Sequence, residues 1–201
     1  MVGNLRRRSM LTEPSDGGSL IPSEYQQVEF IQSSGAQIIT VEPTFIPNAQ
    51  ITIECESVTG SSLLGYSGSG GMWFGHSNGR YTIGGQLQLN VGAGTHAVAH
   101  LTYLPGSNII LTGDVNGVSG QATGIVQSNL RRPLSLFGTQ SNASTSFYYA
   151  SAKVYRLTME GYHDLIPCYR KSDGVIGMFD LITEAFLTNE GSGSFTKGAD
   201  V

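Results

Sequence analysis

Apolar side chains recur at every second position along most of this 201-residue chain, in short runs separated by turn dipeptides. Ile51-Thr52-Ile53-Glu54-Cys55-Glu56 is the cleanest run. In an extended backbone, successive side chains point to opposite faces, so Ile51, Ile53 and Cys55 face one way and Thr52, Glu54 and Glu56 the other. Residues 86–91 repeat the pattern with Leu87, Leu89 and Val91 inward. Residues 96–104 place Ala97, Ala99, Leu101 and Tyr103 on one face and His96, Val98, His100 and Thr102 on the other. Near the start, Val28 and Phe30 alternate with Gln27 and Glu29. No ten-residue segment carries a helical period.

The punctuation agrees with the period. Asn78-Gly79, Gly84-Gly85, Pro105-Gly106 and Asn116-Gly117 each fall between apolar runs. Asn116-Gly117 is the sharpest signal, because Asn-Gly accepts the two positive φ values of a type I′ hairpin. Further strands are predicted over 134–137, 147–157, 165–169, 175–179 and 185–188, and the partly two-sided 147–157 run belongs in the middle of a sheet. Many short strands with frequent turns specify an all-β chain, a two-sheet antiparallel β-sandwich. Composition fits: charged residues make up 13%, against about 25% in typical soluble domains. Polar uncharged residues and 27 glycines must therefore cover the surface, which suits tight turns rather than a helical bundle.

Two segments are expected: an N-terminal arm or linker over 1–22, then the sandwich over 23–201, closed by a C-terminal hairpin near 165–190 beside the N-terminal strand. Arg6-Arg7-Arg8 reads as a solvated flexible end, an arm that anchors the chain to a larger assembly, or, least favoured, a nucleic-acid contact, since no aromatic residue interleaves the arginines. The net charge of −4 gives no electrostatic reason for a nucleic-acid partner. Residues 9–20 contain Glu13, Pro14 and Asp16 where a signal peptide needs an apolar stretch. No run of 18 apolar residues suggests a membrane span. Synthesis in the cytoplasm is therefore expected. Cys55 and Cys168 show no metal spacing and read as free thiols, Cys55 from its inward position, with pairing the alternative.

Three stretches carry a family likeness: residues 25–39 (YQQVEFIQSSGAQII); Leu63-Leu64-Gly65 with Trp73-Phe74-Gly75 and Gly79-Arg80-Tyr81; and residues 166–180 (IPCYRKSDGVIGMFD), continuing through Phe186-Leu187-Thr188-Asn189 and Gly191-Ser192-Gly193-Ser194-Phe195. Together they resemble the concanavalin/laminin-G-like jelly-roll domains of bacteriophages and prophages, over about residues 25–197, with the third stretch the most specific. The resemblance implies a lectin-like domain attached to a phage tail, fibre or capsid, made in the bacterial host cytoplasm and displayed on the virion surface. Its partners would be other virion structural proteins and a host or mucosal glycan; a homo-oligomer follows by analogy. Residues 1–22, with Arg6, Arg7 and Arg8, would anchor it.

Some relatives of this fold are glycosidases, and glycoside hydrolysis needs a carboxylate pair across the scissile bond. Glu54-Cys55-Glu56 is the nearest approach to the Glu-x-Asp-x-x-Glu pattern of the glucanase branch, and it lacks the intervening Asp and the second Glu. A non-enzymatic chain is expected. His96 and His100, four residues apart on a strand, span about 13 Å, too far to share a metal. His76 and His163 stand alone, and Gly68-Ser69-Gly70-Gly71 has no following Lys or helix to make a phosphate cradle. No cofactor is expected, with Ca²⁺ the alternative because similar lectin domains hold it through Asp, Asn and backbone carbonyls in rim loops; here the acids Asp114, Asp164, Asp173 and Asp180 are sparse and form no Asp-x-Asp pair. For recognition, Tyr66, Trp73, His76, Asn78, Arg80 and Tyr81 combine aromatic faces with hydrogen-bonding groups and form the candidate carbohydrate site. The competing assignment puts Trp73 and Phe74 in the core. Asn142 and Tyr148 form a second, weaker patch. The 170–174 turn reads as structural rather than ligand-binding.

Overall fold

Alternation converts directly into strands. The computed structural model describes residues 20–44, 48–60, 62–66, 73–83, 87–104, 108–126, 133–140 and 147–201, and among these none is helical. Eighteen strands are described. In chain order they are β1 (Tyr25–Gln27), β2 (Ile31–Ser34), β3 (Ile39–Thr44), β4 (Gln50–Gly60), β5 (Ser62–Tyr66) and β6 (Trp73–Ser77). Next come β7 (Arg80–Ile83), β8 (Leu87–Gly92), β9 (Ala97–Leu104), β10 (Asn108–Val115), β11 (Val118–Val126) and β12 (Pro133–Leu136). The last are β13 (Gly138–Gln140), β14 (Phe147–Met159), β15 (His163–Arg170), β16 (Ile176–Asp180), β17 (Ala185–Thr188) and β18 (Thr196–Lys197).

They form two antiparallel sheets. The larger runs β11-β10-β9-β4-β14-β15-β16-β17, with β1, β2, β13 and β18 attached beside this path; the smaller runs β3-β12-β5-β6-β7-β8. The chain is thus an all-β sandwich, and β14 occupies the central place its two-sided pattern predicts. The inner faces interdigitate through residues the alternation marks as inward. Ile51, Ile53, Cys55, Ala97, Ala99, Leu101 and Tyr103 are all buried, as are Phe74, Ile83, Leu134 and Phe137 from elsewhere in the layers. Phe74 stacks on Tyr81 with centroids 5.4 Å apart and planes 5° from parallel. Both Asn-Gly hairpins form as predicted, with φ of 50° and 79° at Asn116 and Gly117, and 50° and 78° at Asn78 and Gly79.

The closure is also as expected, and tighter. β1 pairs with β15, Tyr25 opposite Arg170 and Gln27 opposite Cys168. The very C-terminus follows the same segment: Thr196 faces Gln32, Asp200 bridges Val28, and Val201 donates its N–H to the Gln27 carbonyl. Outside the main core, Ile21, Ile166, Cys168 and Phe179 form a second cluster with Tyr25, Leu181 and Phe186. Residues 1–19, with Arg6, Arg7 and Arg8, lie outside the described residues; Ile21, at the end of the expected 1–22 arm, is buried in that cluster. Cys55 and Cys168 are free and buried, and Cys55 takes the inward position its strand pattern predicts.

Candidate functional site

The hairpin from Trp73 to Tyr81 places the expected sugar-site residues in different surroundings. Tyr81 corrects the expectation most plainly. β7 is an interior strand of the smaller sheet, and Tyr81 turns into the core, with no exposed surface. Its hydroxyl donates to the Thr95 carbonyl at 2.8 Å and receives the Cys55 thiol at 3.8 Å. Burial pushes the Tyr81 phenol upward and the Cys55 thiol to about 12. A ring in that position offers no face to a ligand. His76 is cross-strand from Tyr81 and carries bonds at both nitrogens, Nε2 accepting the Gly79 N–H at 2.9 Å and Nδ1 facing the Gly60 carbonyl at 3.3 Å. That fixes the ring to support the turn.

Trp73 is half-buried beside the buried Phe74, so of the two aromatic residues only Phe74 fills a fully buried position. Arg80 and Asn78 are exposed. Register and alternation put Trp73 and Arg80 on the same face of the smaller sheet, but Trp73 pairs with Gly65 and Arg80 with Ser77, four residues further along β6. That is about 13 Å, beyond the width of one pyranose. Tyr66 ends β5 opposite Leu134, and its side chain lies outside the described part, as do Asn142 and the 68–71 glycine run. Tyr148 is exposed.

The acids considered for a cation are separately engaged. Asp114 accepts the Gly117 N–H, Asp164 takes a bidentate fork from Arg156 at 2.9 and 2.7 Å, and Asp173 takes one from Arg170. The 170–174 segment is thereby a self-contained turn, closed further by the Gly174 N–H on the Arg170 carbonyl. Among the described residues, no three His, Cys, Asp or Glu side chains converge as a metal cluster would. Glu54 pairs with His96 at 2.9 Å, while Thr52 holds His100 at 3.0 Å, so the two histidines serve different partners. Glu56 accepts the Tyr155 hydroxyl at 2.6 Å and lies 3.5 Å from Lys153; the Tyr155 bond in particular lowers its pKa.

Sequence reasoning missed two arrangements. The first is a buried pair, His163 Nδ1 to Asp180 Oδ2 at 2.6 Å, with side chains 6% and 1% exposed. Asp180 also accepts the N–H groups of Asp164 and Ile182 and the Thr183 hydroxyl. Burial alone would raise the Asp180 pKa, but these donors outweigh it and lower it. The imidazole Nε2 is buried without a partner. Seventeen residues separate the pair, and only the β15–β16 register joins them.

The second is a recess of about 440 Å³ lined by Gln50, Thr52, Thr158, Glu160, Gly161, His163, Asp164 and Ile182. Its floor is a cross-strand row: Thr52 on β4 faces Thr158 on β14, which faces Asp164 on β15. A second recess of about 430 Å³ lies between the 170–175 turn and the 189–195 loop. Its Asn189 is fully engaged, accepting from the Ile38 and Gly191 N–H groups and donating to the Gly193 carbonyl. Compared with models of protein families, with curated proteins and with solved structures, the chain matches none.

Proposed function

We propose that this chain is a non-enzymatic accessory protein of a bacteriophage virion, a decoration, fibre or tail-appendage subunit whose sandwich faces outward and binds carbohydrate. The reading rests on the likeness carried by residues 166–195. That stretch folds as one closing unit: β15, the self-braced 170–174 turn, the β16–β17 hairpin and the loop that returns to β18. The N-terminal strand pairs directly with this unit. In this reading the preceding arm, with Arg6, Arg7 and Arg8, attaches the chain to a particle.

The carboxylates support binding over hydrolysis. A glycosidase needs one acid held protonated near neutral pH, with a raised pKa. Glu56 moves the opposite way, drawn down by the Tyr155 hydroxyl, and Glu54 is engaged with His96 Nε2 at 2.9 Å. A surface poor in charge and rich in hydroxyls and amides suits neutral, hydroxyl-bearing ligands.

Two measurements test the reading. Tagged protein should co-sediment with particles purified from the encoding prophage, and deletion of residues 1–19 should abolish that. A glycan array, run with and without Ca²⁺, should give saturable hits. Hits without co-sedimentation would leave a free-standing lectin-like module; neither result would end the proposal.

A further inference from the structure

The recess beside Thr158 differs from the other one in what its polar groups are doing. The side chains of Gln50, Thr158 and Glu160 have no hydrogen-bond partner among the described residues, whereas Asn189 and Asp173 of the second recess are already bonded within the fold. Gln50 and Glu160 are also exposed, so they are free to meet a ligand. Around them the frame is fixed. Asp164 is clamped by the Arg156 fork, its N–H is held by Asp180, and Thr52 is oriented by His100. Three paired strands carry the floor, and the 160–162 and 181–184 turns bound it.

The lining specifies the ligand class. The volume lies within the roughly 300–1,000 Å³ of small-ligand sites. Two carboxylates, one amide and two hydroxyls favour a partner rich in O–H donors, and Arg156 already balances the charge of Asp164. Ile182, half exposed, supplies an apolar edge for C–H groups. His163 lines the same recess, and its Nε2 is a buried polar atom with no bond. Hydroxyls flanking a partly apolar ring describe a neutral saccharide.

We propose that this recess, not the β6–β7 hairpin, is the saccharide-binding site, with Glu160 and Gln50 as the direct hydrogen-bonding contacts and Thr158 as the floor. The assignment rests on the carbohydrate-binding reading above. Binding should be followed with the glycans that score on the array. In parallel, the methyl α- and β-glycosides of glucose, galactose and mannose are titrated against ¹⁵N-labelled protein. Saturable amide shifts are expected at Thr158, Gly161 and Ile182. Glu160→Gln and Gln50→Ala, both at exposed positions, should each weaken binding by about tenfold or more while leaving the urea midpoint unchanged. Arg80→Ala on the hairpin should leave binding intact. Array hits that survive the Glu160→Gln/Gln50→Ala double variant, or that are lost in Arg80→Ala instead, overturn the recess and leave the carbohydrate reading standing. No hits and no shifts with the wild-type chain overturn both.

Discussion

Removing the Asp180 carboxylate should destabilise the fold more than any single surface change. Four donors converge on it: the Asp164 and Ile182 N–H groups, the Thr183 hydroxyl and His163 Nδ1. Asp180→Ala strands all four beside a buried imidazole. One unsatisfied buried polar group costs about 1–3 kcal/mol, and a hydrogen bond to a charged acceptor is worth about 1.5–3 kcal/mol. The groups share one cavity, so the penalties overlap, and a total of about 3–5 kcal/mol is expected. Asp180→Asn keeps an oxygen for the two N–H groups and turns an amide toward Thr183 and His163, both of which can accept; about 1–2 kcal/mol is expected. Urea unfolding at neutral pH measures both from the midpoint at constant m. The pH dependence supplies a second check. The folded pKa of Asp180 is lowered, so the native state binds fewer protons than the unfolded chain once pH falls below the unfolded value of about 4. Its stabilisation is full above that value and is lost as pH drops through the lowered folded pKa, so the gap between wild type and Asp180→Asn should close there. A loss below about 1 kcal/mol in Asp180→Ala, or a gap that widens in acid, refutes the role given to this carboxylate.

Three further outcomes follow from single features. Burial raises both thiols to about 12, so Cys55 and Cys168 should resist a disulfide reagent at pH 8 and react only as the chain unfolds; rapid stoichiometric labelling of the native protein would contradict their placement. Gly117 has φ of 79° and open space around its Cα, so Gly117→Ala should cost about 1 kcal/mol from backbone strain alone, read as a lower urea midpoint. A Cβ at Gly120 would collide with Leu87 Cδ2, where β11 crosses β8, so Gly120→Val should cost about 1–3 kcal/mol by overpacking; a neutral result would mean the two sheets are not in contact there.

How far the sequence reveals the fold depends on which contacts are local. The strand faces around Ile51, Ala97 and Leu89 are set by period two and need no knowledge of partners, so they are legible. The Asn-Gly turns are legible for the same reason, since their φ values are a property of two residues. Long-range pairing is not. Nothing near Leu134 shows that β12 inserts between β3 and β5, or that residues 196–201 run against 27–32. The site suffered from the same gap. Tyr81 sits among glycines and hydrogen-bonding residues that look like a loop, but the smaller sheet gives β7 a neighbour on each side, and Tyr81, Thr82 and Ile83 are all buried. Residues that do line a recess, Gln50, Thr158 and Glu160, come from strands more than a hundred positions apart. Each is an ordinary outward polar residue in its own run, and only the β4–β14 register brings them together.

That register also supports the proposed binding surface on the larger sheet. β4 pairs with β9 and β14 along most of its length, and β14 meets β15 where Thr158 faces Asp164, so the outward row through Thr52, Thr158 and Asp164 is carried by paired backbone. A ligand meeting such a row costs little ordering entropy, because the strands are already fixed. The hairpin tip at Asn78-Gly79 lies beyond its last β6–β7 pair, and His76 is committed to holding the turn. Rigid presentation of Thr52, Thr158 and Asp164 in one line, with unpaired Gln50 and Glu160 beside it, is what a recognition surface requires. The inwardly bonded Asp180 and His163 keep the adjoining turns in place beneath it.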